Sequence, residues 1–254
     1  MKTDILEVLS VHTTNKCSVG CPFCYLDKSN LSEEKPHEWW IEFFKSIDNV
    51  KQIALAWNDQ DIKEISEYIK LVNLKDIIIN LTSNPKNISE YNAKILSASG
   101  ITMVSLSVDR FKCQNINDVK EKIEILKLEN ILTGINLLLD NDIVLNLEAV
   151  VQRLLNMGAD IVYALHPKPN TLDVTLETLS SQLMSCSFLF ANRFAVDESS
   201  KLRIGKSLTC KRGNELLSVN SCGEICLCSF DKPYKLYTGK IVPVETITNQ
   251  CPFL

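Results

Sequence analysis

The sequence has no secretory start: MKTDILEVLS carries neither a basic cluster nor a long apolar run. No stretch reaches the roughly 18 apolar residues that a membrane span needs, which argues against a membrane protein. It also lacks a basic stripe. Its 27 Lys and Arg are scattered and stand against 31 Asp and Glu, for a formal net charge of −4. A nucleic-acid binder would concentrate positive charge on one face, so that class is excluded too. What remains is a chain of 254 residues, 45% apolar and 23% charged. That is the ordinary make-up of a globular protein with one substantial core, and the cytoplasm is its expected location.

Cysteine is the residue present in excess, ten in all. Without signs of secretion a disulfide framework is not expected, because cytosolic thiols stay reduced. Clustered cysteines in such a chain point to metal. Cys17, Cys21 and Cys24 form one compact group, and Cys210, Cys222, Cys226, Cys228 and Cys251 crowd the C-terminal part. Cys113 and Cys186 stand alone. Cys186 lies among Leu183, Met184 and Phe188 and reads as core.

Between the two cysteine groups the apolar pattern alternates. Strand-like runs at 5–13, 51–57, 76–82, 101–108, 131–139 and 159–166 are each followed by a helical spacing. Trp40, Phe43, Phe44 and Ile47 share a face behind Pro36, a first-turn residue. Ile62, Ile65, Ile69 and Val72 form the second such face, and Ile88, Tyr91 and Ile95 the third. Ile116, Val119, Ile123 and Leu126 form the fourth. The clearest helix runs from Ile143 through Leu147, Val150, Val151 and Leu154 to Leu155, with Gly158 as its stop. A weaker one covers 173–190. Apolar strands alternating with helices predict an α/β fold with a parallel, helix-covered sheet. Periodicity does not separate a doubly wound sheet from a partial barrel. In either, chemistry sits in the loops after the strands' C-terminal ends, and the three-cysteine loop follows the first strand.

Thiolates favour zinc, copper(I) or iron–sulfur. A closed zinc site takes four ligands, usually as separated pairs, and His12 or His37 would have to complete this one. A [4Fe–4S] cube held at three irons instead keeps its fourth iron open for a small chelating molecule.

The run Cys17-Ser-Val-Gly-Cys21-Pro-Phe-Cys24 resembles the CxxxCxxC signature of the radical S-adenosylmethionine (radical SAM) superfamily. The resemblance covers 5 to about 190 and implies a partial (β/α)6 TIM-like barrel over 1–195. It implies that the open iron binds the amino and carboxylate groups of S-adenosylmethionine. One electron would then yield a 5′-deoxyadenosyl radical that abstracts hydrogen from a C–H bond. By position in the family's pattern, Phe23 would lie against the adenine. Ala56, Trp57, Asn58 and Asp59 stand where the family commonly carries GGEP, a departure that leaves Asp59 either as the replacement acid or as a helix cap. Ser83 and Asn84 replace a TNG-like turn. Ser107 and Asp109 match a common SxD pattern and would offer ribose hydrogen bonds. His166 stands where the chain passes the adenine.

Residues 196–254 resemble a shortened SPASM or twitch extension. Cys210, twelve residues, Gly223, four residues and Cys228 fit its spacing, and the alternation between them suggests a hairpin. The resemblance implies an auxiliary [4Fe–4S] cluster on Cys210 and Cys228, with Cys222, Cys226 and Cys251 as candidates for the remaining positions. A zinc site and free thiols remain open alternatives. Cys113, after the fourth strand, is a candidate hydrogen-atom donor. Such extensions are most frequent on enzymes that modify ribosomally made peptides, so a peptide is the expected substrate, with a small molecule as the alternative. The first strand starts near residue 5, which leaves no room before it for a peptide-recognition domain. A more distant alternative is a non-catalytic iron–sulfur protein. The external electron source would be of flavodoxin or ferredoxin type.

Overall fold

Seven parallel strands lie side by side in the order in which the chain makes them: β1 (Leu6–His12), β2 (Val50–Trp57), β3 (Ile78–Ser83), β4 (Met103–Val108), β5 (Leu132–Leu138), β6 (Ile161–Leu165) and β7 (Phe194–Val196). This computed structural model describes residues 5–21, 24, 26, 31–109, 116–206, 210–239, 241, 243–244 and 251. A doubly wound sheet reverses its strand order at a switch point. Here there is no reversal. Right-handed crossovers that always step the same way put every helix on one face of the sheet. Among the described residues β7 is not paired back to the far edge, so the wall is an open, partial barrel.

The helices are those the spacing predicts, with three differences, the first being the buried face of the third helix: Ala93 and Leu96 form it, while Tyr91 is exposed and Ile88, though buried, lies before the helix starts. Helix α1 (His37–Ser46) buries Trp40, Phe43 and Phe44, and α2 (Ile62–Asn73) buries Ile62, Ile65, Ile69 and Val72. Asp61 starts α2 by accepting a hydrogen bond from the Lys63 amide at 2.8 Å. Helix α3 is Glu90–Ala98, and α4 (Ile116–Leu128) buries Val119, Ile123 and Leu126. The single helix expected after β5 is two, α5 (Asn141–Leu145) and α6 (Leu147–Asn156). Asn146 breaks it, with φ −121° and ψ 22°, while its side-chain amide donates back to the Asp142 carbonyl at 2.9 Å. Helix α7 (Leu176–Phe190) buries Cys186 as expected. The third difference is an addition: β7 and α8 (Glu198–Arg203) follow it, too short for a periodic pattern to announce them. Among the described residues no helix is long and apolar enough to cross a membrane.

The tail does not stand apart. Its strand β8 (Leu216–Val219) runs parallel to β1, with Ser10 opposite Ser218 and Val11 opposite Val219. Strand β9 (Glu224–Cys226) returns antiparallel to β8, which is the expected hairpin, and β10 (Pro233–Leu236) adds the edge. One ten-stranded sheet therefore runs across the 195/196 boundary. The hairpin is also pinned to α1. Tyr237 packs edge-on against Phe43 and Trp39, and its hydroxyl meets Ser46 Oγ at 2.8 Å.

Candidate functional site

Several strands carry small or polar side chains near their C-terminal ends, and that makes room. A cavity of about 450 Å³ opens at their C-terminal ends, within the roughly 300–1,000 Å³ usual for small-molecule sites. Ala54 and Ala56 of β2, Thr82 and Ser83 of β3 and Ser107 of β4 form its floor, with Asn136 of β5. Leu138 and Leu165 supply apolar wall. The rim is made by the loops: Cys17, Cys21 and Cys24 after β1, Asn58 after β2, Asn84 after β3, Asp109 after β4 and His166 after β6. Of the residues singled out from sequence, Cys17, Cys21, Cys24, Ala56, Trp57, Asn58, Ser83, Asn84, Ser107, Asp109 and His166 all line this one cavity. Phe23 and Cys113 lie outside the described residues.

The cysteine loop is held from below and behind. Thr13, Thr14 and Asn15 are buried, and Glu34 accepts both the Thr14 hydroxyl, at 2.9 Å, and the Asn15 amide. Asn58 Nδ2 donates to the Thr14 carbonyl at 3.1 Å. Beyond this brace the chain turns, with the Cys24 amide bonded to the Cys21 carbonyl at 3.1 Å. Cys17 and Cys21 are half-buried and Cys24 is exposed.

Asp59 does not line the cavity. It faces a separate hollow together with Lys16, Glu34 and His37. Its carboxylate pairs with Lys86 Nζ at 2.8 Å and accepts the Ser18 amide. Burial pushes the Asp59 carboxyl up, but hydrogen bonds from Lys86 and Ser18 and the Lys86 charge outweigh it, so it titrates below the usual carboxylate range. His37 bonds Tyr68 and Glu67 at 2.8 and 2.9 Å, on the same outer side.

Two buried histidines border the cavity. Burial pushes both His12 and His166 down to about 4, so each is neutral near pH 7. His166 Nε2 meets Asn170 Oδ1 at 3.1 Å, while Nδ1 has no hydrogen-bond partner among the described residues. The tail reaches the same cavity through Ser229 and Phe230, and the Lys168 ammonium sits 4.3 Å over the Phe230 ring. Neither Lys168, Phe230 nor Lys86 was visible as a site residue in the sequence, since each owes its place to packing between distant loops.

Comparison with solved structures finds the same chain course. Streptococcus suis SuiB bound to S-adenosylmethionine matches with a TM-score of 0.70 at 14% identity, covering 89% of this chain and 58% of that one. Native anSMEcpe with bound AdoMet matches with a TM-score of 0.64 at 17% identity, over 89% and 74% of the two chains. Coproporphyrinogen III oxidase (HemN) from Escherichia coli, a radical SAM enzyme, gives 0.53 at 13% identity, over 86% and 64%. This chain has the radical SAM fold. It spans a little under three-fifths of the length of SuiB. No family model matches it, and no curated protein matches its sequence.

Among the described residues no three His, Cys, Asp or Glu side chains converge to share one metal ion. A cube makes no such demand, because each thiolate takes a different iron. Three thiols on one turn, all opening on one cavity and braced behind, fit that group.

The tail thiols divide. Cys210 hydrogen-bonds the Cys251 thiol, which lowers it to about 6 against burial. Cys228, pushed up by burial, lies close enough to feel Cys251 and Lys168. Cys226, whose partner on β8 is Ser218, is pushed up to about 12, first by burial and then by Glu224, Cys228 and Asp231. Cys222, in the turn between β8 and β9, is pushed up by burial, and its charged neighbours are Glu224, Glu33 and Glu34 rather than thiols.

Proposed function

We propose that this chain is a radical SAM enzyme. The observation that carries the reading is the opening of Cys17, Cys21 and Cys24 onto a single cavity at the C-terminal ends of a partial barrel. These three would hold a [4Fe–4S] cluster by three of its irons. The chemistry that cluster and S-adenosylmethionine supply when bound is one-electron cleavage to methionine and a 5′-deoxyadenosyl radical, which takes a hydrogen atom from the substrate. The chain's own part is placement. Ala56, Asn58, Ser83 and Asn84 offer small or amide surfaces beside the cysteines, and Ser107 and Asp109 offer hydroxyl and carboxylate groups across from them. The neutral His166 offers a ring nitrogen. Leu138 and Leu165 exclude water, which strengthens each of these polar contacts.

The substrate we infer is a ribosomally made peptide. SuiB is known bound to the precursor peptide SuiA and anSMEcpe bound to the Cp18Cys peptide, and both share this fold. A specific observation favours the second reading, a small molecule: Phe230 and Lys168 wall the cavity on the tail side. In either case Cys210, Cys228 and Cys251 would hold an auxiliary cluster, and an external flavodoxin- or ferredoxin-type donor would supply the electron.

The test is anaerobic reconstitution, reduction and assay of 5′-deoxyadenosine. The wild-type chain should form it from S-adenosylmethionine, and Cys21→Ala should form none. Cleavage that survives in C21A overturns the reading. Mass spectrometry of short peptides co-expressed with the chain then separates peptide from small-molecule substrates.

A further inference from the structure

The acid after β2 is already spent. Asp59 grips the chain on both sides of Cys17. Its main-chain amide donates to the Lys16 carbonyl at 3.1 Å, and its carboxylate accepts the Ser18 amide. Lys86, from the turn Pro85–Asn87 after β3, closes the arrangement by pairing with Asp59 at 2.8 Å and donating to Ser18 Oγ. Asn87 ties the same turn to β2, with Nδ2 donating to the Asn58 carbonyl at 2.7 Å and the Trp57 carbonyl at 3.2 Å. A carboxylate committed to an amide and an ammonium on the outer side of the loop is not free for an amine inside the cavity.

We propose that Asp59 and Lys86 are a charged clamp that positions Cys17 and sets the electrostatic field on the loop's cluster, rather than groups that bind the cofactor's amine. This rests on the cluster reading above. The physics is simple. Holding the carbonyl before a residue and the amide after it restrains that residue's backbone dihedrals, and with them the direction of its Cα–Cβ bond and the rotamers open to its thiol. Charges outside the ligand set tune a cluster's reduction potential. The pair is neutral as a whole, so breaking it from either side exposes a charge of opposite sign.

The experiment is an EPR-monitored redox titration of the full chain, following the signal that responds to added S-adenosylmethionine. Asp59→Asn, which leaves the cation, should move the midpoint potential up. Lys86→Met, which leaves the anion, should move it down. Lys86→Arg should stay at the wild-type value, and the D59N/K86M double variant should return towards it. A merely structural role would move both single variants in the same direction. Shifts of one sign in D59N and K86M, or none, overturn the proposal. So does a D59N chain whose potential is unchanged while its affinity for S-adenosylmethionine collapses. A second measurement needs no cluster. Amide hydrogen exchange in the metal-free chain should be protected at Ser18 in the wild type and K86R. In D59A it should be about tenfold faster or more, the loss of one charge-assisted hydrogen bond. Equal exchange in D59A and wild type overturns the clamp. A chain that shows this protection but never assembles a cofactor-responsive cluster keeps the clamp and sinks the cluster reading instead.

Discussion

The two cysteine groups are built by opposite means. The loop thiols Cys17, Cys21 and Cys24 are neighbours in sequence, so the group itself is local, and Glu34, Asn58 and Asp59 only brace it from later segments of the chain. The tail thiols are assembled from afar. Cys210 meets Cys251 across forty residues of chain, and Cys228 joins them only because β8 docks beside β1 and β9 folds back on it. A group that sits on one loop keeps its spacing whatever happens in the tail. A set made by long-range packing depends on every contact that holds the tail on the barrel.

Iron content is the sharpest way to break that contrast. The reconstituted wild type should carry about eight irons, as two cubes. Cys228→Ala should fall to about four while keeping the signal that responds to S-adenosylmethionine, and Cys222→Ala should keep all eight. Iron lost equally from C222A and C228A would mean that the tail ligands are not the three we assign.

This contrast also explains what the sequence made legible. The CxxxCxxC loop and its place after β1 needed only spacing and one strand's worth of periodicity, whereas the strand-end residues from Ala56 to His166 came from the resemblance to the family's pattern laid over that repeat. The brace behind the loop was not legible, because Glu34 and Lys86 act across turns whose geometry no local pattern encodes. Nor was the grouping of the tail thiols. Register decides whether a β9 thiol is buried against β8 or faces the others, and a shift of one residue reverses it. The departure Ala56-Trp57-Asn58-Asp59 was visible as a departure, but only the contacts of Asp59 with Ser18 and Lys86 say what that position does instead.

A smaller effect probes how far the tail's packing reaches. Gly223 has φ +74°, and a Cβ there would lie 2.9 Å from Trp39 Cη2 on α1. Gly223→Ala therefore meets both backbone strain and a ring held in the aromatic cluster, and should cost about 1–3 kcal/mol. Denaturant melts of the metal-free chain read the loss directly. Iron in the reconstituted variant should drop towards four, with the loop's share retained. If the loop's iron fell first, the claim that the loop group stands independently of the tail would be wrong.

The smallest effect concerns His166, which sits on the wall that loop and tail share. Its folded pKa of about 4 lies below the ordinary value of 6.5 because burial disfavours the charged ring. Below pH 6.5 the unfolded chain takes up a proton there that the folded chain refuses. The stabilisation is thus complete above about pH 6.5 and is lost as the pH falls towards 4. His12, buried beside the cysteine loop, behaves in the same sense. Replacing His166 with Gln removes one such group without adding charge. The thermal midpoint of H166Q should fall less steeply between pH 6.5 and 4 than that of the wild type, by an amount equivalent to about 1–3 kcal/mol at the acid end. Parallel curves would mean that His166 is solvated in the folded chain, and that the cavity wall between the two cysteine groups is wetter than its burial implies.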